Sequence, residues 1–131
     1  MKKILIAIKP QYAEKIFSGE KHYEYRRNLP KEVSVAIVYE TAPVKKIVGE
    51  FSVNNILVDT IDGLWKSTKD YSGLTEDDYK KYFQGKAFAK ALSIDKVFKY
   101  SCMYDLIDFG VRCAPQSWQY LKQEDIREKE G

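Results

Sequence analysis

The chain has 131 residues, of which 44% are hydrophobic and 31% charged, a balance that excludes a disordered chain and a membrane-embedded one. That length buries one core and hardly two, so a single domain is expected. A formal charge of +3 and a sequence pI near 8.7 permit contact with phosphates, but they fall short of the strongly basic face that would identify a nucleic-acid binder unaided.

Residues 3–9 read as a buried strand, because Ile4, Leu5, Ile6, Ala7 and Ile8 are continuously apolar and β-branched residues dominate. The apolar run stops at Lys9-Pro10 with no small-residue cleavage site after it, and nothing is long enough to cross a membrane. A cytoplasmic protein is therefore expected. Pro10 suits a first helical turn, Tyr12, Ala13, Ile16 and Phe17 recur at helical spacing, and Gly19 stands where a left-handed C-terminal residue is wanted. Residues 22–26 read as a strand and 33–39 as another, with the Asn28-Leu29-Pro30 turn between them. Residues 47–58 alternate as a long or bent strand in which Gly49 marks a bulge or a close approach.

A helical region follows. Thr60 or Asp62 can cap a segment carrying Leu64 and Trp65, and Leu74-Thr75-Glu76-Asp77-Asp78-Tyr79 puts acids in the first turn of another, stopped by Gly85. Alternation returns over 86–98, with Ala87, Ala89, Ala91 and Ser93 on one face. Residues 99–106 form a last strand or an irregular segment, and Phe109-Gly110 turns the chain toward Pro115, Trp118 and Tyr120, the two aromatics read as hydrophobic plugs. Cys102 and Cys113 have neither zinc-knuckle spacing nor the density of a stapled domain, so buried thiols are expected; with His22 as the single histidine, no metal and no cofactor are. About five to six strands with an early helix and a helical insertion imply an α+β domain over 1–121. That many strands for the length favours a small, closed or half-closed mixed β-barrel, and a charged tail occupies 122–131.

The run Gly19-Glu20-Lys21-His22-Tyr23-Glu24-Tyr25-Arg26-Arg27 carries the chemistry. In a regular strand Lys21, Tyr23 and Tyr25 share one face and His22, Glu24 and Arg26 the other, although Lys21 lies beside the turn and can swing to the glutamate's side. A carboxylate between two cations stays ionised, and an arginine can clamp it by paired hydrogen bonds while leaving donors for a ligand. The residues alone leave two readings open: a surface ion-pair lattice worth about 0–1 kcal/mol per pair, or a ligand site. His22 reads as a hydrogen-bonded rim residue, and Glu76 is the nearest second acid.

Ile6-Ala7-Ile8-Lys9-Pro10, Ala13-Glu14-Lys15-Ile16 and Gly19-x-Lys21-x-x-Glu24-x-Arg26-Arg27 together resemble the opening of the ASCH domain family, whose hallmark is Gly-x-Lys-x-x-Glu-x-Arg. Pro115-Gln116-Ser117-Trp118-Gln119-Tyr120-Leu121 is similar to the closing segment of a bacterial branch. The resemblance implies a PUA-like barrel with a cleft between barrel and helix that takes RNA, a nucleotide or a similar polar ligand, and a regulatory role in translation or transcription. It implies a ligand-binding set of Lys9, Lys21, Tyr23, Glu24, Arg26, Tyr39, Gln116 and Ser117. In that set Lys21 and Arg26 meet phosphate or a base carbonyl, Glu24 accepts from a base amino group or anchors Arg26, and Tyr23, Tyr25 or Tyr39 offers a stacking face.

Two alternatives stay open. Proteins of the same fold are amidohydrolases acting on N4-acetylcytidine through a lysine and a threonine of the corresponding strand. Here Lys21 matches and Glu24 stands where that threonine would be, so Lys21 and Glu24 would have to activate water between them. A paired glutamate is expected to hold the lysine charged and blunt it as a base. The third reading is a protein-interaction module.

Overall fold

A computed structural model of the chain describes residues 2–122, so all of the expected tail except Lys122 lies outside the described residues. The first apolar run becomes β1 (Lys3–Ile8), in which Ile4, Leu5 and Ile6 are wholly buried because the strand lies between two others and is covered on both faces. Helix α1 (Pro10–Ser18) starts on its proline and ends at Gly19, whose φ of 87° is the left-handed cap and whose N–H is donated to Ile16 O. Strand β2 (Tyr23–Tyr25) is short, and β3 (Val35–Glu40) runs parallel to β1.

Strand β4 (Lys46–Thr60) runs straight into α2 (Ile61–Thr68), where the Thr60 hydroxyl accepts from Gly63 N–H at 3.0 Å. A 3₁₀ turn (Lys69–Tyr71) leads to α3 (Glu76–Tyr82), capped in the same way by Thr75. Residues 99–104, expected as a separate element, continue β5 (Phe88–Tyr104) without a break. Register shifts in its pairing with β4 between Ile47 and Gly49 and on either side of Val53 disturb the alternation that the sequence would otherwise show. Gly49 sits at the first of these, where a Cβ would meet Phe98 O at 2.6 Å and the Phe17 ring at 2.7 Å. A second 3₁₀ turn (Leu106–Phe109) precedes β6 (Trp118–Tyr120).

The strands form one mixed sheet of 6 in the order β2-β5-β4-β3-β1-β6. The sheet is not closed: no ladder joins the edge strands β2 and β6 among the described residues. Alternation along β1 and β3 divides the core. Ile4, Ile6, Ile8, Ala36 and Val38 pack with Ala13 and Ile16 of α1, while Leu5, Val35, Ile37 and Tyr39 pack with Ile47 and Tyr100 on the opposite face. A third cluster joins Tyr25, Ala89 and Ala91 to Leu64 of α2 and to Tyr79 and Phe83, so the small-residue face of β5 lies beneath the helical insertion.

Two expectations are corrected at the far end of the chain. Trp118 packs against the first cluster, but Tyr120 is 45% exposed on the edge strand, its hydroxyl donating to Glu32 O. Cys102 and Cys113 are free thiols and both exposed, Cys102 because it lies on the uncovered distal part of β5. Among the described residues no helix is long and apolar enough to cross a membrane.

Candidate functional site

Lys21 precedes β2 and is therefore released from the pleat. The Gly19 turn passes its backbone N–H to Lys15 O, and its side chain swings to the glutamate's side, placing Nζ 3.9 Å from Glu24 Oε1. It is only 2% exposed. Nζ donates to the Ser72 carbonyl at 2.6 Å and lies 4.8 Å from the centroid of the Tyr25 ring and 5.7 Å from that of Tyr12. Burial pulls its pKa down from 10.5 to about 8; Glu24 opposes the shift, while Arg26 and Lys15 reinforce it. Desolvation thus outweighs the carboxylate in setting this pKa.

Arg26 follows β2 and reaches across the opening of the sheet. Its Nε and Nη2 both donate to Glu24 Oε2, at 2.9 and 2.7 Å. Nη2 also donates to Ala7 O of β1 at 2.6 Å, and Nη1 donates to Ser117 Oγ at 3.0 Å and, at a longer 3.5 Å, to Ser117 O. These bonds engage every N–H of the guanidinium fork. The expected spare donors for a ligand are absent, and Arg26 instead holds the two edges of the sheet together. Two groups are oriented as a result: Glu24 turns Oε1 toward Lys21, and Ser117 Oγ, already accepting from Arg26, keeps its proton for another acceptor.

These groups line a cleft of about 840 Å³ between α1, α3, the end of β2 and the segment before β6. Lys21, Glu24, Tyr25 and Ser117 line it, Tyr12 and Tyr82 supply rings, and Lys9, Arg27 and Lys81 bring positive charge, set against Asp78. Tyr25 is anchored by a 2.7 Å hydrogen bond from its hydroxyl to Thr68 Oγ1, and its phenol is pushed above its ordinary pKa by burial. Arg27 lies 4.4 Å over the Tyr82 ring and donates to Tyr82 O at 2.6 Å, joining the strand end to α3. Among the described residues no group of three or more His, Cys, Asp or Glu side chains could hold a metal ion.

The family model of the ASCH domain matches residues 6–98, well over half of the chain. The chain belongs to the ASCH domain family. It is 34% identical over 131 residues to an ASCH domain-containing ribonuclease of Zymomonas mobilis subsp. mobilis, an alignment covering 96% of this chain and 88% of that one. The crystal structure of ASCH from Zymomonas mobilis superposes with a TM-score of 0.88 at 26% identity, covering 98% of this chain and 93% of that one. That of a tyrosine-to-phenylalanine mutant gives 0.88 at 25% identity, with 98% and 96% covered. The large ribosomal subunit protein uL22 of Ureaplasma parvum serovar 3 is 32% identical over 121 residues, but the chain, 91% of which aligns, spans only 39% of that relative's length.

Of the residues named from the ASCH signature, the fold brings Lys9, Lys21, Glu24, Arg26, Gln116 and Ser117 to the cleft. Tyr23 and Tyr39 are not among the residues that line it. Tyr23 packs at the margin of the third cluster, and Tyr39, 7% exposed, sits in the core on the opposite sheet face, where the pleat sends it with Val35 and Ile37. Tyr25, the third ring named for stacking, does line the cleft, and Tyr12 of α1 and Tyr82 of α3 join it there. His22 stacks on Tyr71 at 4.2 Å and bonds Gly19 O, which makes it a rim residue. Glu76 is half-exposed and paired with Lys80, and the cleft-lining acid of α3 is Asp78. Nothing in the signature pointed to Ser72, the acceptor of the lysine.

Proposed function

We propose that the cleft binds RNA or a nucleotide-like piece of it, with Lys21 meeting a phosphate or a base carbonyl. The observation that carries this reading is a lysine ammonium almost closed off from water, yet lining a cleft beside tyrosine rings and three further cations. Lys9, Arg27 and Lys81 are suited to backbone phosphates, and Tyr12 and Tyr82 to stacking of unpaired bases. A relative named as a ribonuclease supports RNA as the ligand class. Titrating wild type and Lys21→Ala with short single-stranded RNA tests it, and the affinity of the variant is expected to fall by ~10-fold or more, a loss the size of a charge-assisted hydrogen bond. Equal affinities would sink the proposal.

A second reading adds turnover, favoured by the lowered pKa of Lys21. A lysine near 8 divides between neutral and charged forms close to working pH, as a general base that must return its proton requires. The neutral amine would take a proton from the attacking hydroxyl or water, the resulting ammonium would hand it to the leaving oxygen or nitrogen, and the Ser117 hydroxyl would donate to the oxygen that gains charge. The bond broken would be a phosphodiester of RNA or the amide of a modified nucleoside such as N4-acetylcytidine. Incubating both with the protein and weighing the products separates them, and any genuine product must disappear in Lys21→Ala. Binding without product would leave a regulatory RNA-binding domain, and silence toward both ligands would favour a protein-interaction module.

A further inference from the structure

Residues 69–75, which join α2 to α3, lie over Lys21 as a thin wall between two hollows. On one side is the cleft, which Lys21 lines. On the other is an open groove of about 740 Å³ lined by the same segment and by Gln11, Tyr12 and Lys15 of α1, and Lys21 does not reach it. The wall is pinned at successive residues. His22 N–H donates to Tyr71 O at 2.8 Å while its ring stacks on that of Tyr71, Lys21 Nζ donates to Ser72 O, and Lys15 Nζ donates to Gly73 O at 3.3 Å. Ser72 closes the turn on itself, its hydroxyl bonding both the N–H and the carbonyl of Leu74.

Gly73 is the point of closest approach. Its φ is +71°, in the left-handed region, and a Cβ there would lie 2.7 Å from Lys21 Cδ, 2.8 Å from Cγ and 3.0 Å from Cβ. Those are atoms of a stem fixed at both ends, by the backbone and by the bond to Ser72, so they cannot swing aside. Any side chain at this position must lift the wall or dislodge the lysine.

We propose that residues 69–75 are a clamp in which Ser72 and Gly73 act as positioning residues for Lys21, Ser72 fixing its ammonium and Gly73 admitting the backbone onto its stem to keep water out. The clamp itself brings only a carbonyl and a methylene against the lysine. The charged and titratable groups that face Lys21 come from elsewhere: Tyr12 and Lys15 from α1, and Glu24, Tyr25 and Arg26 from β2 and its end, with Asp78 of α3 lining the same cleft. Lifting the clamp leaves all of them in place and exchanges the Ser72 carbonyl for water around Nζ; because burial is the largest cause of the lowered pKa, the ammonium becomes easier to keep.

The test reads the lysine directly in ligand-free protein, so its outcome is separate from that of the RNA and amide readings. The protein is produced with ¹³C,¹⁵N-labelled lysine, the Lys21 Cε resonance is assigned by its loss in Lys21→Arg, and its titration midpoint is followed by NMR. The wild-type midpoint is expected at about 8. Gly73→Ala should raise it by at least about 1 pH unit, and Tyr71→Ala, which removes the outer stack from an exposed position and carries the test if the first variant does not fold, by less. Gly85→Ala, equally strained at φ +81° with nothing near its Cβ, should leave the midpoint unchanged. The proposal is overturned if Gly73→Ala and Tyr71→Ala titrate like wild type, or if Gly85→Ala moves Lys21 as far as they do.

Discussion

The two cations of the signature sit on opposite sides of one glutamate and are held in opposite ways. Arg26 engages every donor it has, to Glu24, Ala7 and Ser117, and Lys21 has one bond, to Ser72, with two rings and the free oxygen of Glu24 beside it. The difference teaches that charge in a cleft is no guide to role. A fully bonded guanidinium holds structure, whereas an under-bonded ammonium in a dry place is the group that the proposed function assigns to a ligand or to proton transfer.

Removing the arginine should break the comparison most severely. Arg26→Ala strands a carboxylate 6% exposed and parts the sheet edges, at an expected cost of about 3–5 kcal/mol in urea unfolding. Arg26→Lys should recover only part of that, because a single ammonium cannot span Glu24, Ala7 and Ser117 together. If Arg26→Ala cost less than about 1 kcal/mol, the stitch would be dispensable.

The lysine side is sharpened by pH. In the unfolded chain Lys21 titrates at 10.5, and in the folded one at about 8, so between those values the unfolded state binds more protons and stability rises with pH. Below about 8 the fold bears the cost of a charged buried amine, and above that value the cost is progressively relieved. Relative to Lys21→Met, which cannot titrate, wild type should gain on the order of 3 kcal/mol across the window, read as the difference between two series of unfolding curves. A flat difference would mean that the lysine is hydrated.

Smaller effects separate the walls from the rim. Ser117→Ala removes one acceptor from Arg26 while the Ser117 carbonyl stays, so a loss of about 1 kcal/mol is expected in thermal unfolding. Lys9 is exposed at the mouth, and Lys9→Ala should leave stability within about 0.5 kcal/mol of wild type. The same variant should flatten the slope of log RNA affinity against log salt by about 1. An unchanged slope would remove Lys9 from the path of the RNA backbone.

What the sequence made legible was local. β1, the proline-to-glycine frame of α1, the cap at Thr60 (read as Thr60 or Asp62) and the acidic first turn of α3 are each written within a few residues, and all appear. The signature spacing likewise put Lys21, Glu24 and Arg26 at one place. What stayed hidden depends on partners far along the chain. The continuation of β5 past residue 98 is masked by register shifts against β4, and the absence of Tyr39 from the cleft follows from which sheet face its partners cover. The dependence of Lys21 on Ser72 and Gly73 joins residues 51 apart or more across the helical insertion, and no periodicity reports such a contact.

The bond between Arg26 and Ser117 joins residues 91 positions apart, and it gives the cleft a place in time as well as in space. Protein synthesis delivers the signature before the closing segment, at about 5–20 residues per second. A ribosome-bound chain can form α1, present Lys21 and lay down most of the sheet while the Ser117 side of the cleft does not yet exist. The site therefore stays unfinished until the closing segment has been made, and on the proposed reading no earlier fragment of the domain would bind RNA.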